Sequence, residues 1–204
     1  MFVIVRHGNT FEAGETPRRI GARTDLPLTQ AGLDQARALG RYFAEQNVQF
    51  GRALIAPLLR TRETAQLILA AQVSPPDPQI CGWLREIDHG PDENQPEEAV
   101  LGRIGQDALD KWDATGEAPP DWSIDREARI TAWQQLFAEA GESPSSPTLI
   151  VTSNGAARFA LLAEPALARS MHQLRSLKLP TGGYGVIEAG ANGGLSAPVW
   201  GQRP

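Results

Sequence analysis

Apolar residues recur along this chain in two rhythms. Unbroken runs rich in β-branched residues occur at residues 2–5 (FVIV), 53–56 (ALIA) and 148–153 (TLIVTS). Runs of this length predict strands buried on both faces, as in a parallel sheet. Between them the spacing lengthens to a helical period. In residues 30–46, Leu33, Ala36, Leu39 and Phe43 fall on one face, and Thr29 stands where a cap belongs. Pro57 ends the second run, and residues 58–72 predict a helix with Leu59, Ala65 and Leu69 inward. Two further helices are predicted over residues 95–115 and 123–140, split by GEAPPDW, and another over residues 155–163. YGVIEA (184–189) and LSAPVW (195–200) predict a closing strand pair joined by the hairpin-like GANGG. Residues 8–28 read as a long loop, SPPDP (74–78) as a turn and ESPSSP (142–147) as a loop. No internal repeat or low-complexity tail interrupts the order.

Alternating strands and helices imply one α/β domain over residues 1–204: a three-layer sandwich with a mostly parallel central sheet and helices on both faces. In such folds ligands gather at the carboxyl ends of the strands. Two of the best strands end at Arg6-His7 and at Ser153-Asn154, so the expected site lies where those ends meet.

Composition narrows the chemistry. A chain of 204 residues is long enough to bury a core without staples. The net charge of −5 gives no footprint for nucleic acid or an anionic membrane. The single cysteine, Cys81, cannot form an internal disulfide and is expected to be a small buried hydrophobe in a cytoplasmic protein. The apolar start is too short for a signal peptide, and no run approaches a membrane span. No His, Cys and carboxylate spacing suggests a metal. A homodimer is compatible with this composition.

The tripeptide Arg6-His7-Gly8 alone is as consistent with an ordinary turn as with a site. Its context decides. RHGNT, DLPLTQAGLDQA, APLLRTRETA, LREIDHG and VTSNGAAR follow in order over one domain's length. Together they resemble the histidine phosphatase superfamily, which includes the cofactor-dependent phosphoglycerate mutases, from about residue 3 to about residue 185. RHGNT is similar to the family's RHGxT, and PLLRTRETA to its PLxRAxxTA segment with Ala56 where a serine usually precedes it.

The resemblance implies a phosphoglycerate mutase-like fold and a small phosphorylated substrate or inorganic phosphate as partner, with no cofactor and no metal. His7 would be the nucleophile, its neutral imidazole forming a phosphohistidine, and Gly8 would let the backbone turn close to the phosphoryl group. Arg6 and Arg60 would grip phosphoryl oxygens with their planar forks, and Thr10 would add a phosphate contact. Glu86 would protonate the leaving alcohol. Asp88, Asp92 and Glu93 lie in the same loop, so Glu86 is singled out by position rather than by chemistry. One position departs from the pattern. Where the family carries a second histidine before glycine, this chain has Asn154, which can donate from its amide but carries no charge. The amides opening the next helix would remain as anion donors, and Asn154 would also serve as its N-cap. His89 is a candidate for the missing charge, and Arg19 and Arg23 for a substrate's anionic tail. The resulting expectation is a phosphomonoester phosphatase. The alternative is a catalytically weak phosphate-binding or regulatory member, and a mutase ranks below both because residues 91–125 are unlike the mutases' closing segments.

Overall fold

The computed structural model describes residues 1–141, 146–171, 174, 177–190 and 194–204. Six strands form one sheet in the order β3-β2-β4-β1-β5-β6. The strands are β1 (Phe2–Arg6), β2 (Arg52–Ile55), β3 (Pro78–Ile80), β4 (Thr148–Thr152), β5 (Tyr184–Ala189) and β6 (Leu195–Gln202). β3, β2, β4 and β1 run parallel, whereas β5 and β6 pair antiparallel at one edge. The helices are α1 (Gln30–Glu45), α2 (Leu59–Leu69), α3 (Glu97–Ile104), α4 (Gln106–Thr115), α5 (Arg126–Gly141), α6 (Asn154–Leu162) and α7 (Pro165–Ser170).

The central strand shows why both faces are covered. Side chains of a strand alternate between faces. Phe2 and Ile4 join Trp133, Phe137, Ala157 and Leu161 of α5 and α6. Val3 and Val5 join Leu39, Phe43, Ala65 and Ile68 of α1 and α2. A continuous apolar run satisfies both layers at once, which is what the three-layer arrangement requires. α1 starts as expected: Thr29 Oγ1 accepts from the Gly32 amide at 3.2 Å.

The structure departs from the sequence reading in four places. The helix expected over 95–115 breaks into α3 and α4 at Gly105, whose φ of 78° is left-handed and cannot continue a helix. The chain leaves the SPPDP turn as the edge strand β3, whose three residues are all exposed and so carry no apolar signature. α7 was not anticipated; Pro165 occupies its first turn, where a missing amide costs nothing. Cys81 is half-buried against the core rather than enclosed. Most of ESPSSP and the centre of GANGG lie outside the described residues; Gly190 donates to the Gly194 carbonyl at 2.6 Å across the latter.

β1 and β4 are neighbours in register, with Arg6 opposite Thr152. The chain therefore delivers His7 and Asn154 to the same end of adjacent parallel strands.

Candidate active site

His7 follows the last residue of β1 and is only 3 % exposed. Its amide donates to the Thr152 carbonyl at 3.1 Å, and its own carbonyl accepts from Gly182 at 3.1 Å, so the backbone is tied on both sides. The ring nitrogen Nδ1 lies 2.8 Å from the Gly8 carbonyl. A carbonyl can only accept, so Nδ1 carries the hydrogen and Nε2 carries the lone pair. Arg60 Nε donates to Nε2 at 3.2 Å, which fits that tautomer. Burial first, then the charges of Arg60 and Arg6, hold the imidazole pKa well below the ordinary histidine value. His7 is thus a neutral imidazole with its lone pair directed at a guanidinium.

Gly8 is required by contact rather than by φ. A Cβ there would lie 2.4 Å from the Gly32 carbonyl oxygen of α1. That approach lets the Gly8 amide donate to Thr64 Oγ1 at 3.2 Å, one helical turn past Arg60.

Arg60 is fully buried at the start of α2. It donates to the Thr24 carbonyl at 2.7 Å and the Gly21 carbonyl at 3.2 Å besides His7, so all three nitrogens are oriented. Arg6 donates from one terminal nitrogen to the Leu179 carbonyl at 2.8 Å. Its Nε is buried and makes no hydrogen bond among the described residues. Burial is the main cause that lowers the Arg6 pKa to about 10, against the attraction of Glu86. A buried guanidinium with an unspent donor beside a neutral histidine suits a multiply charged anion.

Glu86 is buried at the other side of the cluster. Its carboxylate accepts from the Ile87 amide at 2.9 Å and from the Gly155 and Ala156 amides at 3.1 Å each. It therefore caps α6 from another segment, and the amides expected to remain as anion donors are already occupied. The N-cap of α6 is Ser153, not Asn154. Asn154 is the first helical residue, and its Oδ1 accepts from the Leu179 amide at 3.0 Å. Only the amide nitrogen of Asn154 is left for a ligand.

The remaining candidates divide. Thr10 is half-buried, and among the described residues its side chain makes no hydrogen bond to His7, Arg6 or Arg60. Arg19 is paired with Glu97 and lies 5.0 Å over the Trp122 ring, while Arg23 donates to Asp88 at 3.0 Å. Both pair with protein carboxylates in this structure. His89 is buried: its ring stands edge-on to Trp122 at 4.5 Å, with Nδ1 3.6 Å from Glu93 Oε2. Among the described residues its ring meets these two rather than the His7 cluster.

Sequence reasoning missed Thr64, Glu93, Arg129 and Leu179. Arg129 on α5 donates to the carbonyls of Trp83 at 3.2 Å and Arg85 at 2.8 Å, cradling the turn that carries Glu86. Leu179 acts through its backbone, which no side-chain pattern reveals. Among the described residues no group of three or more His, Cys, Asp or Glu could hold a metal ion. No helix among them is long and apolar enough to cross a membrane.

Comparison with known proteins agrees with this geometry. Residues 2–197 match the family model of the histidine phosphatase superfamily, branch 1. A 2,3-bisphosphoglycerate-dependent phosphoglycerate mutase of Rhizobium etli is 31 % identical over 119 residues, 58 % of this chain and 56 % of that protein. The matched part of this chain thus spans little more than half of that relative. The mutase of Sinorhizobium fredii is 26 % identical over 188 residues, 88 % of this chain and 85 % of that protein. Among solved structures, a mycobacterial glucosyl-3-phosphoglycerate phosphatase superposes with a TM-score of 0.76 at 18 % identity, covering 100 % of this chain and 99 % of that one. The alpha-ribazole phosphatase of Shigella flexneri gives 0.71 at 22 % identity, covering 99 % and 96 %. At these identities the structural likeness establishes the fold alone.

Proposed function

This chain belongs to the histidine phosphatase superfamily, and from that premise we propose that it hydrolyses a small phosphomonoester through a phosphohistidine on His7. The observation that carries the reading is the orientation of His7: Nδ1–H is bound to the Gly8 carbonyl, so Nε2 presents its lone pair to Arg60, with the charge of Arg6 nearby.

The first step is attack of Nε2 on phosphorus. A phosphoryl group entering the site draws Arg60 Nε from the imidazole to one of its own oxygens, and the Arg6 donors take others. Phosphoryl transfer is governed by positioning and charge stabilisation, and these forks supply both. The bond from phosphorus to the ester oxygen breaks, and the departing oxygen takes a proton from Glu86, which must enter the cycle as the carboxylic acid. Water then attacks the phosphohistidine, Glu86 takes back a proton, the P–N bond breaks and inorganic phosphate leaves.

A second reading is favoured by one observation. Asn154 spends its oxygen on Leu179, and the first α6 amides are spent on Glu86, so fewer donors face the anion than the family pattern provides. This supports a catalytically weak phosphate-binding member. A panel of alkyl and aryl phosphomonoesters assayed with the protein and with His7→Ala separates the two. Turnover that disappears with His7 supports the phosphatase; phosphate binding without turnover supports the binder.

A further inference from the structure

We propose that Glu93 is a positioning residue that sets the Arg60 fork on His7; the proposal rests on the phosphatase reading only for its kinetic arm. Glu93 lies seven residues after Glu86, and its side chain is 7 % exposed. One carboxylate oxygen accepts from the Gly21 amide at 2.9 Å, the Arg23 amide at 3.0 Å and the Thr24 hydroxyl at 2.8 Å. The other accepts from the His89 amide at 3.2 Å. Gly21 and Thr24 are also the two residues whose carbonyls receive Arg60. Glu93 therefore holds the donor side of the loop whose acceptor side holds the arginine.

The loop needs such a holder. Residues 21–25 belong to no helix or strand; among the described residues their one backbone–backbone bond runs from the Ala22 amide to the Ile87 carbonyl at 2.9 Å, with Arg85 donating to the Ala22 carbonyl at 3.4 Å and the Leu59 amide to Asp25 Oδ1 at 2.6 Å. Gly21 is wedged so closely that a Cβ would lie 2.3 Å from the Ile87 oxygen and 2.4 Å from Glu93 Oε2. The carboxylate and the loop thus form one packed unit. Burial pushes the Glu93 carboxyl up, but the facing His89 ring, the Thr24 hydroxyl and the amides of His89 and Arg23 outweigh it and hold it at about 2. Glu93 is therefore an ionised acceptor wherever the protein is folded near neutrality. Without it the Gly21 and Thr24 carbonyls lose their fixed place, and the guanidinium is free to rotate off the nucleophile. Misplacement by about 1 Å costs on the order of a hundredfold in rate.

The test is a double-mutant cycle of Glu93→Ala and Arg60→Ala on one good phosphomonoester, with Glu93→Gln as a milder variant that keeps one acceptor oxygen. Melting curves accompany each variant, and ¹⁵N NMR of His7 gives a readout independent of turnover. Glu93→Ala should lower kcat/KM about a hundredfold, Glu93→Gln less, and neither should cost much further once Arg60 is gone. The His7 Nε2 resonance should move toward its position in Arg60→Ala. Equal losses with and without Arg60, or a His7 resonance unmoved in folded Glu93→Gln, would overturn the proposal. If the parent protein hydrolyses no phosphomonoester, the functional reading fails while the His7 spectrum still decides the role of Glu93.

Discussion

Arg6 and Asn154 hold the same residue from two sides: Arg6 donates to the Leu179 carbonyl at 2.8 Å, and Asn154 accepts from the Leu179 amide at 3.0 Å. The two side chains come from the ends of neighbouring strands, and between them they pin the segment leading into β5. Asn154 is thus a brace through its side-chain oxygen.

This brace changes what Asn154→His should do. An imidazolium has no acceptor, so a charged histidine gains a charge-assisted donor toward phosphate only by releasing Leu179. kcat/KM should rise about tenfold on the acid side of neutrality, equivalent to roughly 1.4 kcal/mol. The melting temperature should fall over the same pH range, because histidine becomes charged there. A gain in rate at acid pH with no loss of stability would show that Leu179 does not need the bond.

Glu86→Gln should damage both chemistry and fold. An amide keeps one acceptor oxygen but turns a donor toward one of the amides now served by the carboxylate. A stranded buried N–H costs about 1–3 kcal/mol, visible in urea unfolding. Alkyl phosphates should lose far more kcat/KM, which reports the phosphorylation step alone, than an activated aryl phosphate, whose leaving group needs little protonation. Equal loss of kcat/KM on both substrates would remove Glu86 as the acid.

Gly155→Ala tests the same contact sterically. Its Cβ would lie 2.5 Å from Glu86 Oε1 and 2.8 Å from Ile87 Cγ1, so the carboxylate must move. The selective loss on alkyl phosphates should then reappear with Glu86 still present. Unchanged kinetics in this variant would mean that Glu86 need not sit where the structure puts it.

His7 also sets a pH dependence of stability. Its folded pKa lies well below the unfolded value of about 6.5, so the unfolded chain binds more protons below that pH. The stability contribution is complete above pH ~6.5 and is lost as pH falls toward the folded pKa. Replacing His7 with glutamine should flatten the acid side of the profile by up to about 1.4 kcal/mol per pH unit. Parallel urea-unfolding profiles for the two proteins between pH 7.5 and 5 would contradict a neutral buried His7.

The sheet and the residues at its strand ends were legible because they are written in side chains. Val3 and Val5 against Phe2 and Ile4 encode both layers, and the end of that run places Arg6 and His7. Arg60 was legible only through the motif around it, since a helix-start arginine has no distinguishing period. Glu93 was hidden among Glu86, Asp88 and Asp92, because its role depends on backbone amides of a loop about seventy residues earlier. The same holds for Leu179, which contributes only N–H and C=O. The pairings of Arg19 and Arg23 were not legible because their carboxylate partners, Glu97 and Asp88, are distant in sequence.

The central claim is a covalent phosphate on His7, and trapping it is the most direct test. The protein is mixed briefly with an activated aryl phosphate, quenched in alkali, digested and mapped by mass spectrometry alongside Glu86→Gln, which should hydrolyse the intermediate slowly. The account predicts one acid-labile phosphate on the peptide containing His7, more abundant in Glu86→Gln and absent from His7→Ala. Steady turnover by His7→Ala, or turnover by the parent protein with phosphate on no histidine, would contradict it.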